Sequence, residues 1–175
     1  MDPNSDYFTP APSVLPCDCA LFVENKALYV NKQYLMQQSD AFKDLFTKVE
    51  WKSQNQIHLD GVTYDEFKAL LNAMCWPLKL KLNGNKVDTV LKMSIIFKVK
   101  SVEKACESYL LSEHDSNDFL KVQMAQKYDL NHLLMVCLDK YDSMEQLEDA
   151  GLYQYLNSTS KNIAFNKFLE KQTKQ

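Results

Sequence analysis

The sequence contains no arginine: all 20 of its basic residues are lysine. Proteins that read nucleic acid or handle phosphate groups rely on the guanidinium fork, which binds phosphate, carboxylate and guanine through paired hydrogen bonds. The formal net charge of -3 and the pI near 5.6 also disfavour a polyanionic partner. The sequence therefore predicts a protein that does not bind nucleic acid.

Glycine and histidine are scarce, with three residues of each. The glycines Gly61, Gly84 and Gly151 are too far apart to form a phosphate-binding loop. The histidines lack the i, i+4 spacing of a metal site, and the cysteines of Cys17-Asp18-Cys19 are closer together than zinc-binding pairs usually are. We therefore predict no metal, no cofactor, no catalytic residue and no enzymatic activity.

Long apolar runs are absent from the chain. None approaches the roughly 18 residues that cross a bilayer, and the N-terminus lacks a basic segment followed by an apolar one. The five cysteines are odd in number and most lie in apolar context, as buried thiols in a reducing compartment do. We expect a cytoplasmic or nuclear protein that does not contact membranes.

The remaining composition is that of a globular protein, with 46% hydrophobic and 25% charged residues. Four of the five prolines lie in the first 16 residues, so residues 1–15 are predicted to form an extended, proline-rich lead-in. Two short β-prone runs follow, at 19–24 and 27–30. They predict a hairpin whose two-residue connection is Asn25-Lys26, because asparagine tolerates a positive φ.

The spacing of apolar residues becomes helical from Lys32 onward. It predicts two short helices, with Asn31 as the N-cap of the first and Ser39-Asp40 as the cap between them. A strand at 56–62 precedes Thr63 and Glu66, which form a capping box for a longer helix.

The segment after that helix is harder to assign. Pro77 is predicted to end the helix, and the alternating LKLKL at 78–82 indicates a lysine-guarded edge strand or an exposed loop.

Residues 86–142 are predicted to be helical throughout and contain a weak repeat with a period of 31 residues. The repeat pairs Met93 with Met124 and Cys106 with Cys137. It predicts two stacked helical hairpins, each burying its apolar side against its neighbour. Two further helices are predicted, one capped by a Ser-x-x-Gln box and one marked by apolar spacing: Ser143 with Gln146, and Ile163, Phe165, Phe168 and Leu169.

A group of lysines looks like a basic patch in the sequence. They alternate with apolar residues at strand and helix periods, so the simplest interpretation is that they form the solvated faces of these elements. The group comprises Lys79, Lys81, Lys86, Lys98, Lys100 and Lys104.

The order of elements, headed by CDCALFVENKALYVNKQYLMQQSDAFKDLF, resembles a BTB/POZ domain over about residues 17–111. Asp18 matches the residue that opens the first strand, Asn31-Lys32 the end of the second, and Ser39 to Phe42 the family's Ser-x-x-Phe. The segment YVNKQYL resembles the corresponding segment of nematode-type BTB proteins. Residues 116–141 resemble the helical extension of cullin-3 adaptors of the speckle-type POZ kind.

This resemblance implies an α+β chain with a small mixed sheet flanked by a helical cluster, followed by an all-helical C-terminal extension. The expected boundaries are 16–112 for the BTB/POZ domain and 113–175 for the extension. The implied function is a protein-protein interaction module, an adaptor linking a partner or substrate to a cullin-3 ubiquitin ligase. The alternative is a homodimeric or heterodimeric BTB scaffold in a regulatory complex without a ligase role.

Three sets of site residues follow from the resemblance. Asp18 and Lys32 are expected to face each other in a partly buried charged pocket, the alternative being a solvated Lys32. The short helices are expected to carry a self-association surface formed by Tyr34, Leu35, Phe42 and Leu45.

Cullin-3 binders often carry a hydrophobic-x-Glu motif in the loop after the second short helix. Here serine stands in the glutamate position of Trp51-Lys52-Ser53. If the motif is instead aligned on Val49, tryptophan stands there. The candidate cullin-contact loop is therefore Val49, Glu50, Trp51 and Ser53.

Overall fold

The computed structural model describes residues 16–49, 53–75, 84–112 and 118–173. They fall into two compact units that divide between Cys106 and Glu107, six residues before the boundary expected from the resemblance. The predicted lead-in at 1–15, the helix stop at Pro77 and the segment 78–82 lie outside the described residues. Each unit is described by itself.

The first unit begins with a three-stranded mixed sheet in the order β2-β1-β3. Strand β1 (Cys19–Val23) is antiparallel to β2 (Lys26–Val30), and β3 (Gln56–His58) runs parallel to β1. Leu21 pairs with Leu28 on one side and Ile57 on the other, and all three side chains are fully buried. The predicted small mixed sheet is confirmed.

The hairpin turn lies one residue earlier than predicted, at Glu24-Asn25 instead of Asn25-Lys26. Both residues have a positive φ, 49° and 62°, as a two-residue turn between twisted strands requires. The Glu24 carboxylate accepts a hydrogen bond of 3.0 Å from the backbone N–H of Tyr64. This bond spans 40 residues and helps hold a glutamate in a conformation that ordinarily favours asparagine or glycine.

The two predicted short helices are confirmed as α1 (Lys32–Gln38) and α2 (Asp40–Thr47). Asn31 caps α1 by accepting from the Tyr34 N–H at 2.9 Å, and Ser39 caps α2 by accepting from the Phe42 N–H at 3.1 Å. Both caps are buried, with 6% and 3% of their surface exposed, so each also needs a partner for its donor group.

The side-chain donor of each buried cap bonds a backbone carbonyl that is distant in the sequence. The Asn31 amide nitrogen donates to the Pro16 carbonyl at 2.9 Å, which fixes the entry to the sheet. The Ser39 hydroxyl donates to the Phe97 carbonyl, 58 residues along the chain. The caps therefore join the short helices to the sheet entry and to the next helical pair.

Helix α3 (Tyr64–Cys75) begins with the predicted capping box. The Thr63 hydroxyl accepts from the Glu66 N–H at 3.3 Å, and the Glu66 carboxylate accepts from the Thr63 N–H at 3.3 Å. Lys92 donates to the same carboxylate at 2.8 Å and is the main reason that the pKa of Glu66 is lowered. The apolar face of this helix is buried and comprises Tyr64, Phe67, Leu70, Leu71 and Met74.

The core of the first unit contains a cluster of phenylalanines around Phe42. The Phe42 and Phe97 rings stack at 5.0 Å between centroids, and Phe67 meets Phe42 edge-on at 6.1 Å. Because aromatic pairs in these geometries add stability beyond their buried area, this cluster reinforces the Ser39–Phe97 bond beside it.

The 31-residue repeat is confirmed at the level of backbone hydrogen bonds. Helices α4 (Gly84–Ile96) and α5 (Lys100–Ser112) are joined by a turn in which Lys98 has φ 51° and the Val99 N–H donates to Ser94. The turn between α6 (Asp118–Lys127) and α7 (Asn131–Leu138) is the same: Asp129 has φ 55°, and the Leu130 N–H donates to Ala125. Both helices end in a left-handed cap at the same place in the repeat.

The second unit closes with α8 (Met144–Asp149), one turn of 3-10 helix (Tyr153–Tyr155) and α9 (Ser158–Thr173). Ser143 caps α8 by accepting from the Gln146 N–H at 3.2 Å, as predicted. Phe168 of α9 is buried, whereas Phe165 and Leu169 are exposed. Among the helices in the described ranges, none is long and apolar enough to cross a bilayer.

Two lysines of α9 hold the end of α7. Lys167 pairs with Asp139 and donates to the Met135 carbonyl at 3.2 Å. Lys171 donates to the Tyr141 carbonyl and to the Asp142 carboxylate, both at 2.9 Å. Cations at the end of a helix complement its dipole, so these contacts fix α9 on the second unit.

We expect Ser39→Ala to lower the free energy of unfolding by about 1–3 kcal/mol, because it removes a buried cap and a buried donor together. Urea denaturation followed by circular dichroism measures the change. The matched control is Thr47→Ala, whose exposed hydroxyl donates at 2.7 Å within its own helix to Lys43. Equal losses in the two variants would contradict the role assigned to Ser39.

Candidate functional site

The structure brings Asp18 and Lys32 together through the main chain of the lysine. The Asp18 carboxylate accepts a hydrogen bond of 2.8 Å from the backbone N–H of Lys32, the first residue of α1. A carboxylate at this position satisfies a free N–H of the first helical turn and complements the helix dipole. Asp18 therefore acts beside Asn31 as a second cap of α1.

The ammonium group of Lys32 is directed to the segment before β3. It donates to the Gln54 carbonyl at 2.5 Å and lies 5.9 Å from the centre of the Phe46 ring. Lys32 is half-buried, whereas Asp18 is exposed. The two residues predicted to form a charged pocket thus join three segments: the entry to β1, the start of α1 and the end of the loop after α2.

The buried cysteines have thiols with raised pKa values. Burial is the main reason that the pKa of Cys19 is raised to about 11, with Lys32 lowering it and Asp18 raising it. Burial likewise raises the pKa of Cys75 to about 11, of Cys106 to about 12 and of Cys137 to about 11. Since the thiolate is the reactive form, these four side chains behave as apolar core residues at neutral pH.

Metal ligands do not cluster in the part of the chain that the structure describes: no three histidine, cysteine or carboxylate side chains come together there. Cys17 is exposed and Cys19 is buried, with Cys19 in the first strand.

The predicted self-association surface needs a correction at two of its four residues. Leu35 and Phe42 are 2% and 0% exposed, so they belong to the core of the first unit. Tyr34 and Leu45 are half-buried, and the Tyr34 hydroxyl donates to the Met74 carbonyl at 2.8 Å. Helical spacing identified an apolar face, but spacing alone does not distinguish a core from an interface.

The candidate cullin-contact loop is partly described. Val49 stands directly after α2 with 94% of its surface exposed, and Ser53 is also exposed. Glu50 and Trp51 lie outside the described residues. The two described ends of the loop are therefore available to a partner, and the Lys32–Gln54 bond holds the segment into which Ser53 leads.

Exposed apolar residues outside these predictions were missed by sequence reasoning. In the first unit they are Ile95 and Ile96, at 39% and 49% exposure. A signal for them exists in the sequence, because the three consecutive apolar residues from 95 to 97 cannot all lie on one face of a helix. In the second unit the large exposed apolar residues among those described are Met135, Val136, Tyr155, Phe165 and Leu169.

Comparison with known proteins gives one family model and several relatives that match this chain. The family model described as BTB/POZ domain matches residues 12–114. BTB and MATH domain-containing protein 36 of Caenorhabditis elegans is 30% identical over 155 residues, which are 88% of this chain and 48% of that protein. Protein 38 of the same series is 25% identical over 158 residues, 88% of this chain and 41% of that protein.

Further matches are more distant. Kelch-like protein 36 of Rattus norvegicus is 28% identical over 119 residues, 67% of this chain and 19% of that protein. The chain thus spans about half or less of the length of these relatives. Among solved structures, the BTB domain of human gigaxonin aligns with a TM-score of 0.46 and 17% identity over 53% of this chain and 76% of that one.

We expect Lys32→Met to lower the free energy of unfolding by about 1 kcal/mol, because it removes the donor to the Gln54 carbonyl. Urea denaturation measures the loss. Lys43→Met is the matched control, since this exposed lysine of α2 has no side-chain partner among the described residues. A Lys32→Met variant as stable as the control would show that the ammonium is merely solvated.

Proposed function

This chain belongs to the BTB/POZ domain family, and on that premise we propose that it is an adaptor linking a protein partner or substrate to a cullin-3 ubiquitin ligase. The family is one of protein-interaction modules, so the function lies in the surfaces that the fold presents. The proposal concerns which partner uses those surfaces.

The observation that carries the proposal is the exposure of Val49 and Ser53 at the two ends of the loop after α2. The resemblance assigns the cullin contact to this loop. Its flanks are anchored, because Ser39 caps the helix before it and Lys32 bonds the Gln54 carbonyl after it. Val49 directly follows α2, so its exposed apolar side chain reaches a partner from the end of a capped helix, with little loss of conformational entropy.

The relatives support an adaptor in which the ligase contact and the substrate contact lie on different parts of the protein. By their names, the Caenorhabditis elegans matches contain a BTB domain together with a MATH domain, and this chain covers the part that includes the BTB match. In the proposed adaptor, the BTB domain contacts the ligase. The substrate contact lies on a part of the adaptor other than the BTB domain.

Serine in place of the motif's glutamate predicts a weakened contact. A carboxylate at residue 53 would offer a charge-assisted hydrogen bond, which adds about 1.5–3 kcal/mol where its partner is present. The natural chain is therefore expected to bind cullin-3 more weakly than a chain with glutamate there.

The test is calorimetric titration of the chain with the N-terminal region of cullin-3. We expect binding at micromolar concentration, about tenfold tighter for Ser53→Glu and at least about tenfold weaker for Val49→Asp. Leu169→Asp, an equally drastic change at an exposed leucine of α9, is the control and leaves binding unchanged. If neither the natural chain nor Ser53→Glu binds at tens of micromolar, the adaptor function is rejected.

The second candidate is a BTB scaffold that pairs with itself or with another BTB chain outside ubiquitin transfer. Tyr34 and Leu45, the half-buried members of the predicted surface, favour it. A stable pair needs about 800 Å² from each partner, so these residues would form only the centre of a larger contact.

Sedimentation equilibrium tests the scaffold. A homodimer has twice the 20.3 kDa mass of the chain, and Leu45→Asp returns it to the monomer. Lys43→Asp, a charge change on the exposed side of the same helix, leaves the dimer intact. If the natural chain stays monomeric up to about 100 μM, the homodimeric scaffold is rejected and only the heterodimeric scaffold is left.

A further inference from the structure

The sheet of the first unit has two faces that differ in exposure. The side chains on its core face are between 0% and 3% exposed: Cys19, Leu21, Val23, Leu28, Val30 and Ile57. The opposite face carries the alternate residues of the same strands. There Phe22, Ala27 and Tyr29 are half-buried, and Gln56 and His58 are exposed. The described part of the chain thus covers this second face less completely than the first.

The second face is lined by rings and methyl groups. We call it the aromatic sheet face and define it by Ala20, Phe22, Ala27, Tyr29 and His58. The Phe22 ring and the His58 imidazole stack with 5.0 Å between centroids and 18° between planes. Ala20 pairs with Tyr29 and Ala27 pairs with Phe22 across the antiparallel strands. Because each of these pairs combines a ring with a single methyl group, a shallow hollow lies beside each ring.

The chain enters this sheet from a fixed point. The Asp18 N–H donates to the Val30 carbonyl at 3.1 Å, and the Asn31 amide donates to the Pro16 carbonyl at 2.9 Å. The lead-in of residues 1–15 precedes that point. Residues 10–16 read PAPSVLP, with three prolines in seven positions. A proline-rich segment is therefore tethered to the strand that carries Ala20 and Phe22.

Proline-rich segments suit aromatic surfaces for two physical reasons. Their extended polyproline II conformation has no internal hydrogen bonds and is already restricted by the rings, so little conformational entropy is lost on binding. Their pyrrolidine rings also pack into hollows between aromatic side chains, as in the grooves that recognise such segments. A tether adds to both, because it keeps the segment at an effective concentration of about a millimolar near its surface.

We propose that the aromatic sheet face binds the chain's own lead-in, with Pro10 and Pro12 packed against the rings of Phe22, Tyr29 and His58. Residues 10–15 span about 16 Å in polyproline II geometry, whereas the five residues of β1 span about 13 Å. The lead-in is therefore long enough to run back along β1 as far as Phe22.

This contact closes an apolar face that would otherwise accept proline-rich segments of other proteins. It uses neither the short helices nor the candidate cullin-contact loop after them, whose described ends are Val49 and Ser53. The proposal is therefore independent of cullin-3 binding, and either can fail without the other.

Nuclear Overhauser effects in the full chain test the contact directly. We expect cross-peaks between the side chains of Pro10 and Pro12 and the ring protons of Phe22 and Tyr29. The combined variant Pro10→Ser and Pro12→Ser removes the pyrrolidine rings and shifts the amide resonances of the aromatic sheet face. Pro3→Ser, the same change elsewhere in the lead-in, is the matched control and leaves these resonances unchanged.

Limited proteolysis measures the same contact from the side of the sheet. Chymotrypsin cleaves after Tyr7 and Phe8, and binding of residues 10–15 slows this cleavage because the protease requires a free segment around the bond. We expect His58→Ser to speed cleavage at these two bonds by about threefold to tenfold. His58 is exposed, so this variant keeps the fold. Phe165→Ser, at an exposed aromatic residue of α9, is the control and leaves the rate unchanged.

Protein concentration distinguishes this contact from one between two chains. An intramolecular contact gives the same cleavage rate from about 5 to 500 μM, whereas protection that grows with concentration shows that a second copy supplies the lead-in. A free peptide of residues 7–15 displaces the tethered segment only at about millimolar concentration, which is the effective concentration of that segment.

Four results overturn the proposal. They are the absence of cross-peaks between the two prolines and the sheet rings, equal cleavage of the natural chain and His58→Ser, protection that depends on protein concentration, and occupation of the aromatic sheet face by the free peptide at about 10 μM. The last result would show that the face is open to proline-rich segments of other proteins.

Discussion

The hydroxyl of Ser39 is the contact on which the arrangement of the first unit depends. It accepts from the Phe42 N–H and so starts α2, and it donates to the Phe97 carbonyl at the end of α4. Because Ser39 is 3% exposed, water does not replace either bond without opening the core. One buried polar group thus fixes the angle at which the short helices meet the α4–α5 turn, and the rings of Phe42 and Phe97 stack beside it. Asn31 does the same for α1 and the entry to the sheet.

The position of the candidate cullin-contact loop follows from this arrangement, because the loop begins where α2 ends. Its described first residue, Val49, presents an apolar side chain directly after the helix that Ser39 caps. Preorganisation of this kind lowers the entropy lost on binding, which suits a module whose function is contact.

The sequence predicted local features well because they depend on neighbouring residues. The caps Asn31 and Ser39, the Thr63–Glu66 box and the 31-residue repeat are all confirmed. The features that it missed depend on contacts between residues far apart in the sequence. The turn register is shifted toward Glu24, which bonds the distant Tyr64 N–H. Leu35 and Phe42 were assigned to a surface because periodicity identifies an apolar face without showing what covers it. The exposed Ile95 and Ile96 of α4 were missed for the same reason, because a helical pattern does not show which apolar residues stay uncovered.

Native-state hydrogen exchange tests most directly whether Ser39 makes α2 and the α4–α5 turn one cooperative unit. The Phe42 N–H bonds Ser39 itself, and the Val99 N–H closes the turn whose Phe97 carbonyl Ser39 holds. The account predicts that both amides exchange through one opening reaction, with the same free energy and the same dependence on denaturant. If the Val99 amide exchanges through a local opening while the Phe42 amide stays protected, the two elements are independent and the account is contradicted.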